Sequence, residues 1–109
     1  MKYHNQKIII DGYKLDSKKE GKRYSELKLL ERAGCIKDLE LQPAFILIPS
    51  FKKNGKTYRK MTYVADFKYY DVNQQKTIVE DTKGYRTEVY KIKKKLFEYK
   101  YPELEIREL

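Results

Sequence analysis

The chain has 109 residues, which is enough for one domain with a single modest core and too few for two. Its 25 Lys and Arg against 16 Asp and Glu give a net charge of +9. That balance favours a polyanionic partner, usually nucleic acid, although it could also only confer solubility. Hydrophobic residues make up 40% of the chain, which indicates a folded protein, and no run reaches the roughly 18 apolar residues of a membrane span.

The residue inventory excludes several kinds of chemistry. Cys35 is the only cysteine and His4 the only histidine, so an intrachain disulfide and a thiolate zinc site are excluded and triad catalysis is poorly supported. Metal coordination would therefore use oxygen ligands, which suit magnesium or manganese. The three isoleucines near the N-terminus are too short for a signal-peptide core, so we expect a cytoplasmic protein without membrane contact.

The first half of the chain predicts a short strand, a helix and a longer strand. Ile8-Ile9-Ile10 is extended and ends at the turn pair Asp11-Gly12. A helix is predicted from Asp16-Ser17 to about Ala33, and Gly34 supplies its left-handed C-cap. Residues 36–41 then lead through Gln42-Pro43 into the apolar run 44–48.

The second half predicts a meander, a second helix and a last strand. Asn54-Gly55 is a strong hairpin signal, and a strand from Tyr58 to Tyr70 is expected to return beside the first. After a polar loop, residues 77–83 form the third strand. The second helix runs from Thr87 to Lys100, and a last strand covers residues 104–106 after Pro102. The apolar stripe predicted for the second helix consists of Val89, Ile92, Leu96 and Tyr99.

Two predicted strands each carry an acid near one end. Period-2 alternation places Asp66 on one face of its strand, and Asp81 with Lys83 on one face of the next. If the strands are neighbours, these side chains can hold a hard divalent cation and an attacking water against a phosphodiester. The alternative is that the acids are polar residues of a solvated face, paired with Lys68 and Lys83.

A one-residue slip in strand register would exchange Glu80 for Asp81 on this face. The spacing to Lys83 supports Asp81, because residues two apart share a face. We therefore expect Glu80 to face the helix side or solvent.

A third acid lies in the first helix, within Ser17-Lys18-Lys19-Glu20. Glu20 shares a helix face with Tyr24 and Leu27, so it points with the buried stripe. The same spacing is also a capping box, in which Glu20 bonds back to the Ser17 amide. Metal ligand and helix cap both remain open for Glu20.

The pattern of Asp66 followed by Asp81-Thr82-Lys83 resembles the PD-(D/E)XK nuclease superfamily, with Ala65-Asp66 in place of the usual Pro-Asp. The segments 16–20, 40–43, 63–67 and 81–84 together resemble its small phage-associated endonuclease branch, whose core is similar to that of Holliday junction resolvases and transposon-end nucleases. This resemblance implies an α/β fold, a restriction-endonuclease-like αβββαβ core with a mixed sheet flanked by helices, over the single domain 1–109.

The resemblance also implies a Mg²⁺- or Mn²⁺-dependent DNA endonuclease of a bacterial or phage-infected cell. Asp66, Asp81 and Glu20 would bind the metal, and Lys83 would orient the attacking water. Gln42 would either reach this site or only bond to nearby backbone. The implied substrate is branched or junction DNA in phage DNA processing, and a homodimer would supply two sites.

The second helix and the segment before it are rich in cations. Lys91, Lys94 and Lys95 lie at i, i+3 and i+4, a spacing that suits contact with the DNA backbone together with Arg86. A solvated helix face explains the same lysines equally well. The function that competes with catalysis is a non-catalytic nucleic-acid-binding protein that retains the nuclease fold.

Overall fold

A mixed four-stranded sheet with a helix on each face forms the centre of the molecule. The computed structural model describes residues 8–10, 13–15, 18–82 and 87–109. The elements are β1 (Ile8–Ile10), β2 (Tyr13–Leu15), α1 (Lys18–Arg32), β3 (Ile36–Leu41), β4 (Ala44–Ile48), β5 (Phe51–Lys53), β6 (Lys56–Tyr58), β7 (Met61–Val64), β8 (Phe67–Asp71), β9 (Lys76–Asp81), α2 (Glu88–Lys100) and β10 (Glu105–Glu108).

The central sheet has the strand order β10-β9-β8-β3. Strands β3, β8 and β9 are antiparallel neighbours, whereas β10 runs parallel to β9 after the crossover through α2. Adjacent residues of β9 point to opposite faces, so Ile78 packs with α1 and Val79 with α2. The described chain is therefore an α/β protein with two helices on opposite faces of a mixed sheet.

The helix predictions hold for position but not for the buried face of α2. Gly34, two residues after the end of α1, has a φ of +79°, as a left-handed cap requires. In α2 the buried residues are Tyr90 and Phe97, whereas Val89 and Ile92 of the predicted stripe are 60% and 58% exposed. The aromatic residues lie seven positions apart on one helix face, and their rings fill the space above β4 and β7.

The predicted strand from Tyr58 to Tyr70 is wrong as a single element, because it breaks at Ala65-Asp66. The break lies opposite a second bend, where Gln42 adopts a φ of +52°. The Gln42 amide donates to the Asp66 carbonyl at 2.8 Å, and the Ala65 amide donates to the Pro43 carbonyl at 3.1 Å. Strands β4 and β7 thus form a separate antiparallel ribbon that leaves the central sheet at this bend.

The ribbon ends in the β5–β6 hairpin, and the predicted Asn54-Gly55 turn is confirmed. Both residues have positive φ, 52° and 74°, as a two-residue type I′ turn demands. Every residue from 48 to 61 is exposed. We call residues 49–60 the hairpin tip. In the described ranges, no helix is long and apolar enough to cross a membrane.

Candidate active site at the end of the central sheet

The carboxylate of Asp66 is fixed at the point where β9 ends. Its Oδ2 accepts hydrogen bonds from the amide and from the hydroxyl of Thr82, both at 2.6 Å. Its own amide donates to the Glu80 carbonyl at 3.1 Å. These bonds tie the bend before β8 to the residue that follows Asp81, so the two predicted acids lie at the same end of the sheet.

Asp81 is fully buried on the α2 face of the sheet. The Tyr63 hydroxyl donates to its Oδ2 at 2.5 Å. Burial, followed by this hydrogen bond, raises the pKa of the Tyr63 phenol far above its ordinary value, so the phenol stays protonated and donates. Glu108 of β10 is in register with Asp81 and accepts from the Tyr90 hydroxyl at 2.6 Å. Two carboxylates and two phenols therefore line this face.

Glu80 points to the opposite face, toward α1. This is the first of the two orientations that we expected for it, the helix side or solvent. Glu80 is 1% exposed, and Arg23 binds both of its oxygens, with Nε 2.7 Å from Oε1 and Nη2 2.6 Å from Oε2. The Tyr69 hydroxyl donates to the same Oε2. The hydrogen bond that Arg23 donates to Glu80 raises the pKa of the guanidinium further above its ordinary value. Glu80 is thus engaged in a structural ion pair, which leaves Asp81 as the acid of the candidate site.

The other two predicted site residues are Glu20 of α1 and Gln42 of the bend, and Glu20 lies on the α1 face of the sheet, whereas Asp81 lies on the α2 face. Glu20 lies in the first turn of α1, is 2% exposed and shares the sheet-facing side with Tyr24 and Leu27, as predicted. Ser17, its partner in the alternative capping box, is outside the described residues. The main-chain amide of Gln42 donates to the Asp66 carbonyl, while the Gln42 side chain is exposed.

The predicted cations are only partly described. Lys83 and Arg86 lie outside the described residues. Lys91, Lys94 and Lys95 line a shallow concavity of about 350 Å³ beside Glu108, on the α2 side of the molecule. Lys91 Nζ lies 3.3 Å from Glu88 and Lys94 Nζ 3.1 Å from Glu98, so two of these charges are partly neutralised within the helix.

The donor chemistry of this region suits a hard cation, since carboxylate oxygens are the ligands that Mg²⁺ prefers. Across residues 18–82 and 87–109, however, no group of three or more His, Cys, Asp and Glu side chains is arranged to hold a metal ion. Asp66 and Asp81 each bind a hydroxyl through Oδ2 instead. These bonds fix two carboxylates in place but do not by themselves form a metal centre.

Sequence reasoning missed the residues that hold the acids. Thr82 was only the variable position between Asp81 and Lys83, yet it is the hydrogen-bond partner of Asp66. Arg23 had no signal beyond its position in a basic helix, because its partner lies 57 residues away. Only Tyr63 could have been found from the sequence, because it alternates with Ala65 and Phe67 and so takes a buried position next to Asp66.

The fold and this site define an α/β protein with a mixed sheet and buried acids at the end of the sheet. The chain belongs to the family described as "Protein of unknown function (DUF1064)", whose profile matches residues 1–108. No curated protein and no solved structure matches the chain.

Proposed function

We propose that this chain is a metal-dependent DNA endonuclease that hydrolyses phosphodiester bonds. The observation that carries the proposal is the position of Asp66 directly before β8 and of Asp81 at the end of the neighbouring strand β9, where hydrogen bonds from Thr82 and Tyr63 fix their carboxylates at one end of the sheet. Branched or junction DNA is the proposed substrate, on the resemblance to junction resolvases.

The order of elements supports a restriction-endonuclease-like core. A helix precedes three antiparallel strands, and a second helix then leads to a strand parallel to the third. This is the αβββαβ order that the PD-(D/E)XK resemblance implies, with β9 carrying the second acid as that resemblance requires. Strands β4 to β7 lie between β3 and β8 in the chain, as an insertion between the first two of the three strands would.

Each residue of the proposed site has a defined task. Asp66 and Asp81 would hold Mg²⁺ or Mn²⁺, and Glu20 would complete the set only by reaching them from the α1 face at the end of the sheet. The ion when bound neutralises the scissile phosphate and lowers the pKa of a water. Thr82 and Tyr63 orient the carboxylates, as groups that hydrogen-bond to ligating carboxylates do. Lys83 would orient the attacking water and stabilise the developing negative charge, a contribution of roughly 3 kcal/mol for one well-placed donor.

A non-catalytic nucleic-acid-binding protein is the second candidate. The observation in its favour is that Asp66 and Asp81 already accept hydrogen bonds from protein groups, and that the described residues include no three-acid group for a metal. Such a protein would keep the fold and the positive charge without catalysis.

Cleavage of linear, flapped and four-way DNA with Mg²⁺, Mn²⁺ or EDTA tests the proposal. We expect nicking or cutting with either metal and none with EDTA. Asp66→Asn and Asp81→Asn should each reduce the rate at least about 100-fold, a loss of about 2.7 kcal/mol of transition-state stabilisation. Asparagine keeps an oxygen that accepts from Thr82 or Tyr63, so the fold should be retained.

The matched control is Asp38→Asn, an exposed position with a φ of +58°, which asparagine tolerates. Mg²⁺ should raise the melting temperature of the wild type and of this control, but not that of Asp81→Asn. Wild-type cleavage rates in both site variants would overturn the metal site. DNA binding without cleavage under any metal would establish the second candidate.

A further inference from the structure

We infer that the hairpin tip, residues 49–60, is a nucleic-acid-binding element that grips the phosphodiester backbone away from the candidate site. The inference rests on the proposed function for the identity of its ligand, a nucleic acid, but not for catalysis. It adds a contact surface to the one predicted on α2.

The hairpin tip concentrates positive charge without any acid. It carries Lys52, Lys53, Lys56, Arg59 and Lys60, which amount to +5 of the net +9 of the chain. The chain has no Asp or Glu between Glu40 and Asp66. All five cations are exposed. A protruding surface of this kind attracts a polyanion and places several cations within reach of successive phosphates.

The cations of the hairpin tip differ from those elsewhere in their pairing. Five lysines of the helices and the central sheet have carboxylate partners, as Lys76 has in Glu105 at 2.8 Å and Lys94 in Glu98 at 3.1 Å. Within the described ranges, no ion pair includes a cation of the hairpin tip. Binding a phosphate there would therefore not require an existing ion pair to be broken.

Within the hairpin tip, a pair of like charges lowers stability and a pair of stacked rings raises it. Lys53 and Lys56 lie directly opposite each other across the hairpin, a like-charge pair that destabilises a β-ribbon. The stacked rings of Phe51 and Tyr58, 4.8 Å apart and 10° from parallel, offset that cost although both are exposed. Lys56 Nζ also lies 5.0 Å from the centre of the Tyr58 ring. The two rings and the two lysines lie on the same face of the β5–β6 hairpin.

The ribbon connects the hairpin tip to the candidate site. It leaves the central sheet at the bend where Gln42 bonds to Asp66. From Pro43 to Asn54 the chain spans at most about 36 Å at about 3.3 Å per residue. This maximum span is about the length of one helical turn of duplex DNA. A duplex held at the hairpin tip can therefore extend along the ribbon to the end of the sheet.

The test measures binding without cleavage. Binding of a fluorescein-labelled DNA duplex three helical turns long is followed by anisotropy in EDTA, between about 50 and 200 mM salt. The tip variant combines Lys52→Gln, Lys53→Gln and Lys56→Gln. We expect its slope of log K against log salt to fall by about 2 to 3, since each lost phosphate contact removes about 0.9.

The matched control combines Lys28→Gln, Lys37→Gln and Lys100→Gln, which lowers the net charge equally but leaves the ribbon and the candidate site unchanged. It should keep a slope within about 0.5 of the wild-type value, and both variants should retain the wild-type melting temperature. Equal slopes for the tip variant and the control would overturn the inference. The result is independent of catalysis, because Asp81→Asn should lose cleavage while its binding keeps the same dependence on the hairpin tip.

Discussion

Glu80 and Asp81 are adjacent in the chain, yet their carboxylates lie on opposite faces of the sheet with different partners. Glu80 binds Arg23 and Tyr69 beneath α1, whereas Asp81 accepts from Tyr63 on the α2 face. A one-residue slip of β9 would place each carboxylate against the wrong partners. The two adjacent buried acids therefore help to define the register of β9.

Removal of the Arg23 side chain should be strongly destabilising. Arg23→Met leaves the Glu80 carboxylate buried without its cation, which costs about 3 kcal/mol or more. The free energy of unfolding in urea measures this loss. Lys22→Met, at an exposed position of the same helix, should change it by less than about 0.5 kcal/mol. Similar values for the two variants would contradict a structural role for the ion pair.

Glu20→Gln should separate a metal ligand from a structural acid. Glutamine can still serve a capping box, but it binds Mg²⁺ far less well. Under the proposed function we expect at least about a tenfold loss of cleavage with an unchanged melting temperature. Glu31→Gln, in the last turn of the same helix, is the control and should cleave normally. Full activity of Glu20→Gln would assign Glu20 to the helix cap.

Three buried phenols should make the protein sensitive to alkali. Burial is the largest cause that raises the pKa of Tyr63, Tyr69 and Tyr90. The folded state therefore keeps protons that the unfolded state loses above about pH 10. Their contribution is fully present below that pH and is lost above it, by up to about 1.4 kcal/mol per pH unit and group.

Urea unfolding between about pH 8 and pH 11 checks this dependence, and Tyr63→Phe should reduce its slope above about pH 10. Asp81 then loses the hydrogen bond from the Tyr63 phenol, so the variant should also be less stable at neutral pH. A slope above pH 10 that is the same in the variant and in the wild type would show that Tyr63 does not contribute.

At the scale of elements, the sequence predicted those helix ends and turns that depend on neighbouring residues in the chain. The extent of α1, the Gly34 cap, the Asn54-Gly55 turn and the α2 N-cap Thr87 all follow from backbone preferences within a few residues. The break at Ala65-Asp66 did not, because it depends on a bend in a strand more than twenty residues earlier.

The buried face of α2 also escaped prediction. Periodicity alone favoured Val89 and Ile92, but the space above the sheet is filled by the larger rings of Tyr90 and Phe97. For the site, alternation predicted that Glu80 and Asp81 lie on opposite faces of β9, but it placed Asp66 within a strand, whereas Asp66 lies in the break before β8. The partners Thr82, Tyr63 and Arg23 were not predicted, because they are set by tertiary contacts.

The start of α2 provides a test at this scale. The Thr87 hydroxyl accepts from the Tyr90 amide at 3.0 Å, so Thr87→Ala should cost about 1 kcal/mol of unfolding free energy. Thr87→Ser keeps the acceptor and should stay within a few tenths of a kcal/mol of the wild type. Urea denaturation measures both variants. An alanine variant as stable as the serine variant would show that the cap does not stabilise α2.

The whole molecule is less compact than its length suggests. Its radius of gyration is 15.9 Å, against about 13 Å for a compact domain of this size. The ribbon of β4 and β7 with its hairpin tip extends away from the central sheet and contributes to this difference. The outer face of the ribbon exposes Ile46 and Val64, 42% and 47% exposed, beside the basic hairpin tip.

Under the proposed function we expect the chain to form a two-fold dimer, because one chain offers one candidate site and cutting both strands or two arms of a junction would need two. The edge strand β10 carries Glu105, Arg107 and Glu108, and charged residues disfavour pairing between sheet edges. The contact is better served by the exposed apolar side of the ribbon around Ile46 and Val64.

Sedimentation at micromolar concentration, with and without a four-way DNA junction, measures the dimer. Val64→Lys should shift the protein to the monomer, because a charge would be buried in an apolar contact. Val72→Lys is the matched control: Val72 is 40% exposed in the turn after β8, away from the ribbon, and the variant should sediment as the wild type does. A wild-type monomer in both conditions that makes only single-strand nicks would contradict the dimer and would identify the proposed enzyme as a nickase or flap nuclease.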